Sequence, residues 1–212
     1  MVSYWVKSPK WLKKFFPEDM IWDMPPLNED TIYITFDDGP HPTITPFVLD
    51  LLNQYDAKAT FFCVGNNVAR YPDTYKQVLQ AGHTVGNHTY NHLNGWRINN
   101  DHYLKNIHQA AHHIHSRLFR PPYGRMKLSQ YRKLKKADPK WKIYMWDILS
   151  GDFDQHITPQ QCLENVLNNI TPGSIILFHD SVKARERMEF ALQGVLEYCK
   201  QKNWQMKQLP EA

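Results

Sequence analysis

Asp37, Asp38, His88, His92, Arg120, Asp152 and His179 are the residues of this chain whose types and placement could do chemistry together. Asp38 with His88 and His92 offers one carboxylate and two imidazoles, a mixed oxygen and nitrogen set that suits zinc or a similar divalent ion. A set of three protein ligands, with positions left for water, points to a catalytic ion. His88 and His92 have H-x-x-x-H spacing, which on a helix would stack both rings on one face, although the Gly86-Asn87 lead-in reads as a loop running into a turn. Alone, that spacing is weak, because two solvated or hydrogen-bonded histidines share it. Two adjacent aspartates at the end of an apolar strand repel each other and need compensation. An ion on Asp38 and a cation on Asp37 supply it. That assigns Asp37 to proton abstraction from the attacking water and Arg120 to keeping Asp37 ionised and oriented. Asp-Asp-Gly-Pro is also good turn chemistry, and local sequence leaves both readings open.

The elements that must position these residues are legible as an alternation. From residue 31 onward, short apolar β-type runs alternate with helix-type segments about seven times, the pattern of a parallel sheet or barrel wrapped by helices. The expected strands are 31–36, 59–64, 83–86, 117–120, 142–146, 174–178 and 204–209. The expected helices are 46–54, 73–81, 103–116, 128–136, 159–169 and 184–200, with Gly82 as a helix stop. The candidate residues fall at or soon after strand ends: Asp37 and Asp38 after the first, His88 and His92 after the third, and Arg120 closing the fourth. Asp152 follows the fifth and His179 the sixth. All strand C-termini of a parallel barrel open onto one face, so residues distant in sequence converge there. No low-complexity linker interrupts the chain, which reads as one domain over 30–212 behind an N-terminal arm over 1–29.

The segments T-F-D-D-G (35–39), H-T-Y-N-H (88–92), R-P-P-Y (120–123) and L-F-H (177–179) occur in that order. They resemble the first, second, third and last of five signature motifs of the polysaccharide deacetylases with a NodB-homology domain, carbohydrate esterase family 4. The resemblance covers about residues 30–209 and implies a TIM-like α/β fold, a distorted (β/α)7-type barrel. It also implies Asp37 as general base, Asp38, His88 and His92 as metal ligands, and Arg120 as the residue that orients Asp37. By the same resemblance the backbone N–H of Tyr123 helps to bind the oxyanion, His179 is the general acid, and Leu177 lines the pocket for the acetyl methyl. Asp152 falls where the family has the aspartate that tunes the acid histidine, and Trp146 contributes a sugar-facing surface. Phe153 stands in place of the usual tryptophan after that aspartate, and Leu149 where many members have an earlier aspartate, so this wall of the groove departs from the family pattern. The implied activity is removal of N-acetyl groups from N-acetylglucosamine-containing glycans, chitin-like or peptidoglycan, with release of acetate. The implied ion is Zn2+, with Co2+, Ni2+ or Mn2+ as alternatives. De-O-acetylation of xylan and hydrolysis of a small cyclic amide are the rival reactions. A silent glycan-binding module would have no need for base, acid and three metal positions together.

The composition leaves the partner open, a glycan or another neutral substrate fitting equally well. The 212 residues are 42% hydrophobic, and 25 Lys+Arg against 21 Asp+Glu leave +4, too mild a charge to imply nucleic acid. The chain is expected to act as a monomer. Cys63, Cys162 and Cys199 lie far apart and read as reduced thiols. No continuous apolar run of the signal-peptide or membrane-spanning kind occurs, which leaves cytoplasmic and cell-envelope locations open. Trp5, Trp11, Leu12, Phe15 and Phe16 are interleaved with Lys7, Lys10, Lys13 and Lys14. That pattern suits a helix in a membrane interface or, more plainly, an arm packed on the domain. His108, His112 and His115 would line one helical stripe and are expected at the surface rather than on a second metal. The basic run from Arg125 to Lys142 reads as a solvated helix face, with weak association to an anionic surface as the functional alternative.

Overall fold

The computed structural model describes residues 4–25 and 30–211. Its strands are β1 (Met20–Ile21), β2 (Thr31–Asp37), β3 (Ala59–Cys63), β4 (Thr84–Asn87), β5 (Leu118–Phe119), β6 (Lys142–Tyr144), β7 (Ile148–Leu149), β8 (Ile175–His179) and β9 (Gln205–Met206). They pair in parallel in the order β1-β6-β5-β4-β3-β2-β8-β7, with β9 on β2. The helices are α1 (Lys10–Lys13), α2 (Ile44–Gln54), α3 (Gly65–Arg70), α4 (Pro72–Gln80), α5 (Asn100–Ala111), α6 (Leu128–Ala137), α7 (Pro159–Leu167) and α8 (Arg185–Gln201). This is the distorted (β/α)7-type barrel that the family resemblance implies, one of the two architectures the alternation leaves open.

β2 lies inside the sheet between β3 and β8; its sequence, TIYITFD, is β-branched and aromatic up to Asp37 and every residue is buried, as expected where both sheet faces are covered. Successive residues alternate faces. In β3, Phe61 joins the outer core beneath α2, α7 and α8, while Phe62 packs inside the barrel with Tyr33, Leu118, Tyr144 and Ile175. A second outer cluster of Tyr103, Ile107, Phe119, Leu134 and Trp141 lies under α5 and α6. Each such fully buried side chain contributes roughly 1.5–3 kcal/mol.

The elements differ from the sequence expectation at identifiable places. β1, β7 and α3 are absent from the sequence expectation: β1 lies in the arm, only three residues separate β7 from β6, and a six-residue helix is too short to carry a period. The helix expected over 103–116 begins and ends earlier, at Asn100 and Ala111. Asn99 caps it by accepting from the His102 N–H at 2.9 Å. His115 therefore lies beyond the helix, and His108, His112 and His115 are all exposed, as expected.

The N-terminal arm is packed into the barrel at two seams. Residues 20–24 cross the gap between β6 and β8: the Met145 N–H donates to Ile21 O at 2.7 Å, and the Met24 N–H to Gly173 O at 2.9 Å. Residues 6–8 run antiparallel along β7, with Leu149 N–H donating to Val6 O and Ser8 N–H to Asp147 O, both at 2.8 Å. An edge that would otherwise present unpaired backbone is thereby covered.

Candidate active site

Asp37 ends β2 in register with His179, which ends β8, so the expected base and acid leave adjacent strands side by side. Buried Arg120 follows β5 and reaches across the barrel. Its Nη1 donates to Asp37 Oδ1 and to Thr35 Oγ1, each at 2.8 Å, its Nη2 to Met145 O at 2.7 Å, and its Nε to Tyr144 O at 3.2 Å. One guanidinium therefore fixes the carboxylate and closes the barrel beneath it, with the Phe62 ring 4.1 Å below.

One residue beyond Asp37, the backbone turns to φ +79° at Asp38, and the side chain faces two histidines on the β4–α5 loop. His92 Nε2 lies 3.1 Å and His88 Nε2 3.9 Å from Asp38 Oδ1. The loop is not helical: Thr89 and His92 both have positive φ, at 62° and 54°, so H-x-x-x-H here is a turn that aims both rings inward. The Asn106 side chain holds this turn by accepting from the Tyr90 and Asn91 N–H groups at 2.9 and 3.0 Å. His88 Nδ1 is 2.7 Å from Arg120 O, a contact in which Nδ1–H donates and Nε2 keeps its lone pair for an ion. Burial lowers the His88 pKa to about 4 despite the Asp37 and Asp38 charges, which keeps the ring in the neutral, ligating form. Burial would raise the Asp38 pKa, but the hydrogen bond from His92 and the nearby imidazoles hold it well below the usual carboxylate range. The three ligand atoms lie within 4.8 Å of one another, and this is the one such group found among the described residues. An anionic oxygen, a neutral nitrogen with its tautomer set, and a second imidazole fit a divalent ion.

On the opposite side, His179 is held by buried Asp152. Asp152 Oδ1 is 2.8 Å from His179 Nδ1, and Oδ2 accepts from the His179 N–H at 2.6 Å. Burial opposes the charged ring, yet Asp152, with help from Asp38 and Asp37, raises the His179 pKa to about 10. Tyr123 sits with its ring edge-on to His92, centroids 4.6 Å apart, and with φ +60°. Trp146 borders the same loop so closely that a Cβ on Gly124 would lie 2.7 Å from its ring. Leu177 is buried two residues before His179 and pairs with Thr35.

A sequence profile described as Polysaccharide deacetylase matches residues 25–140. The chain belongs to the polysaccharide deacetylase family. This deacetylase is 36% identical over 188 residues to a peptidoglycan-N-acetylglucosamine deacetylase of Bacillus cereus, covering 86% of this chain and 87% of the relative. It is 32% identical over 176 residues to a chitooligosaccharide deacetylase of Azorhizobium caulinodans, covering 79% and 81%. Among solved structures, the Bc1960 peptidoglycan N-acetylglucosamine deacetylase superposes with a TM-score of 0.85 at 30% identity, covering 96% of this chain and 95% of that one.

Sequence reasoning missed several residues that hold the deacetylase site together. Thr35 lies inside the first motif but was not singled out; it accepts from Arg120 and donates to Ile176 O at 2.7 Å. Asn67, on the unforeseen α3, donates to Asp38 O at 2.7 Å and so supports the strained turn. Asp180, next to His179, is buried, hydrogen-bonded to Thr45, and packed so closely on Gly39 that no Cβ would fit there. Burial, opposed by the Thr45 hydrogen bond and aided by the Asp38 charge, raises its pKa to about 7. Its position next to His179 is the signal the sequence offers for it.

Proposed function

We propose that this chain hydrolyses the N-acetyl group of N-acetylglucosamine units in a glycan, chitin-like or peptidoglycan, to acetate and a free amine. The observation that carries the reading is the flanking of one Asp–His–His group by two oppositely prepared partners, Asp37 paired to Arg120 and His179 paired to Asp152. Asp38, His88 and His92 would hold the divalent ion, Zn2+ by donor type, which when bound polarises the acetamide carbonyl and acidifies water. Asp37, oriented by its pairing with Arg120, takes the proton from the attacking water as the water oxygen bonds to the carbonyl carbon. The backbone N–H of Tyr123 donates to the oxygen on which negative charge develops. His179, protonated by virtue of Asp152, gives its proton to the nitrogen as the C–N bond breaks, because an unprotonated amine is a poor leaving group. Leu177 and Trp146 form the apolar wall for the acetyl methyl and the sugar ring. The named activities of the B. cereus and A. caulinodans relatives support an N-acetylglucosamine substrate over an acetylated xylan.

Acetate release from N-acetylglucosamine oligomers, peptidoglycan and acetylated xylan tests this, using chelated, zinc-restored and Asp37→Asn protein side by side. Zinc-restored release from an N-acetylglucosamine substrate, lowered roughly 10²–10⁴-fold in Asp37→Asn, is expected. Release from xylan alone would replace the reading with O-deacetylation.

A further inference from the structure

The N-terminal arm has one face bolted to the barrel and one left open. On the inner face, Lys7 Nζ meets Asp147 Oδ2 at 2.5 Å and donates to Asn169 O at 2.8 Å. Lys13 pairs with Asp23 and lies 3.2 Å from Asp147 Oδ1. Ser8 Oγ donates to Trp146 O at 2.8 Å, and Phe16 packs on Trp22 with centroids 5.1 Å apart. The outer face carries Trp5, Trp11 and Phe15, which are 56%, 54% and 79% exposed. They touch one another, Trp5 on Trp11 at 5.5 Å and Trp11 on Phe15 at 6.2 Å. Lys10 and Lys14, one helical turn apart, flank them, exposed. Three contiguous large aromatics on an open surface, held in place from behind, form a patch that calls for an occupant.

We propose that this face docks on an anionic lipid bilayer. Residues 4–16 contain four lysines and no acidic residue, so the patch complements a negative surface. A second copy of the chain would bring like charges together. Each touching pair of rings also stands nearly perpendicular, at 82° and 83°, so adjacent rings do not form a flat platform for consecutive sugars. A bilayer needs no such platform: tryptophan and phenylalanine insert at headgroup depth while lysines meet the lipid phosphates. The internal pairing of Lys7 and Lys13 divides the four lysines between latch and contact, leaving Lys10 and Lys14 for the lipid. No helix among the described residues is long and apolar enough to cross a membrane, and surface docking requires none.

The test is co-sedimentation of the zinc-loaded full chain with phosphatidylcholine vesicles, with and without phosphatidylglycerol, at low and high salt. It needs no activity readout and so stands or falls apart from the proposed reaction. The chain is expected to sediment with the phosphatidylglycerol vesicles and to be released by salt. A Trp5→Ser/Trp11→Ser/Phe15→Ser variant with an unchanged unfolding midpoint is expected to partition at least about tenfold more weakly. Lys10→Glu/Lys14→Glu, at roughly fivefold per lysine charge removed, is expected to fall further still, and it keeps the test open should the aromatic variant misfold. Absence of sedimentation, equal sedimentation without phosphatidylglycerol, or full retention by both variants would each overturn the proposal. So would a concentration-dependent dimer, or capture by soluble polyphosphate, in place of vesicle binding.

Discussion

Arg120 is buried with its charge and tolerated there because its donors are used: one carboxylate, one hydroxyl and two backbone carbonyls take them, and an aromatic face lies beneath. Burial lowers its pKa, and the charge and hydrogen bond of Asp37 work against that. His179 is prepared in the other direction. Its pKa is raised to about 10 because Asp152 outweighs the desolvation of the ring. In its proposed role of general acid His179 works only while protonated, so activity is expected below that pKa and is expected to be lost as pH rises through it. Asp152→Asn removes the carboxylate and leaves the desolvation, which lowers the histidine pKa. The alkaline limb of kcat against pH is expected to move down by more than about one unit, with a lower rate already at neutral pH. A pH–rate profile of the two proteins checks this, and an unmoved alkaline limb would remove His179 from the acid role.

At the scale of elements, the site is built from strand ends that continue into strained turns. Asp38, Thr89, His92 and Tyr123 all have positive φ, a backbone state that costs energy for residues with a Cβ and persists where neighbours over-determine it. Asn67 holds the Asp38 turn and Asn106 the turn between Thr89 and His92. Gly124 lies in the Tyr123 turn with φ +66°, and a Cβ there would sit 2.7 Å from the Trp146 ring. Gly124→Ala is expected to push the turn and the indole apart, displacing the Tyr123 N–H and the groove wall together. Initial-rate kinetics should show kcat lowered roughly 10–100-fold, with the cooperative thermal transition retained.

For the whole molecule, the barrel is completed by its own N-terminus. Residues 20–24 bridge β6 to β8, and residues 6–8 seal β7, so the arm is a structural part of the sheet. Asp147 is the pin. It is buried, takes Lys7 and Lys13, and accepts from Ser174 Oγ at 2.9 Å. Asp147→Ala leaves two lysines without that partner and is expected to loosen residues 4–16. Limited trypsin digestion should cut at Lys7, Lys10, Lys13 and Lys14 well before the wild type is cut. The unfolding midpoint should fall by roughly 3–10 °C.

The sequence by itself determined which residues could react and on which face of the fold they would meet. Apolar runs with period 2, helix-period segments and polar residues at strand ends are local properties, written residue by residue. For that reason β2, β3, β4 and β8 were legible to within a residue at most of their ends, and Asp37, Asp38, His88, His92, Arg120, Asp152 and His179 were legible as a set. Tertiary structure alone decided what joins them. Thr35, Asn67 and Asn106 act through contacts with residues distant in sequence, and a polar side chain that supports a turn looks in sequence like any other polar side chain. β1 and β7 are two residues long, without an apolar run of their own to mark them, and are defined by their pairing with β6 and β8, which only the fold makes. The arm reads as polar and aromatic in either environment; ion pairs to Asp147, which only folding brings near, set its inner face on the barrel and leave its aromatics facing out.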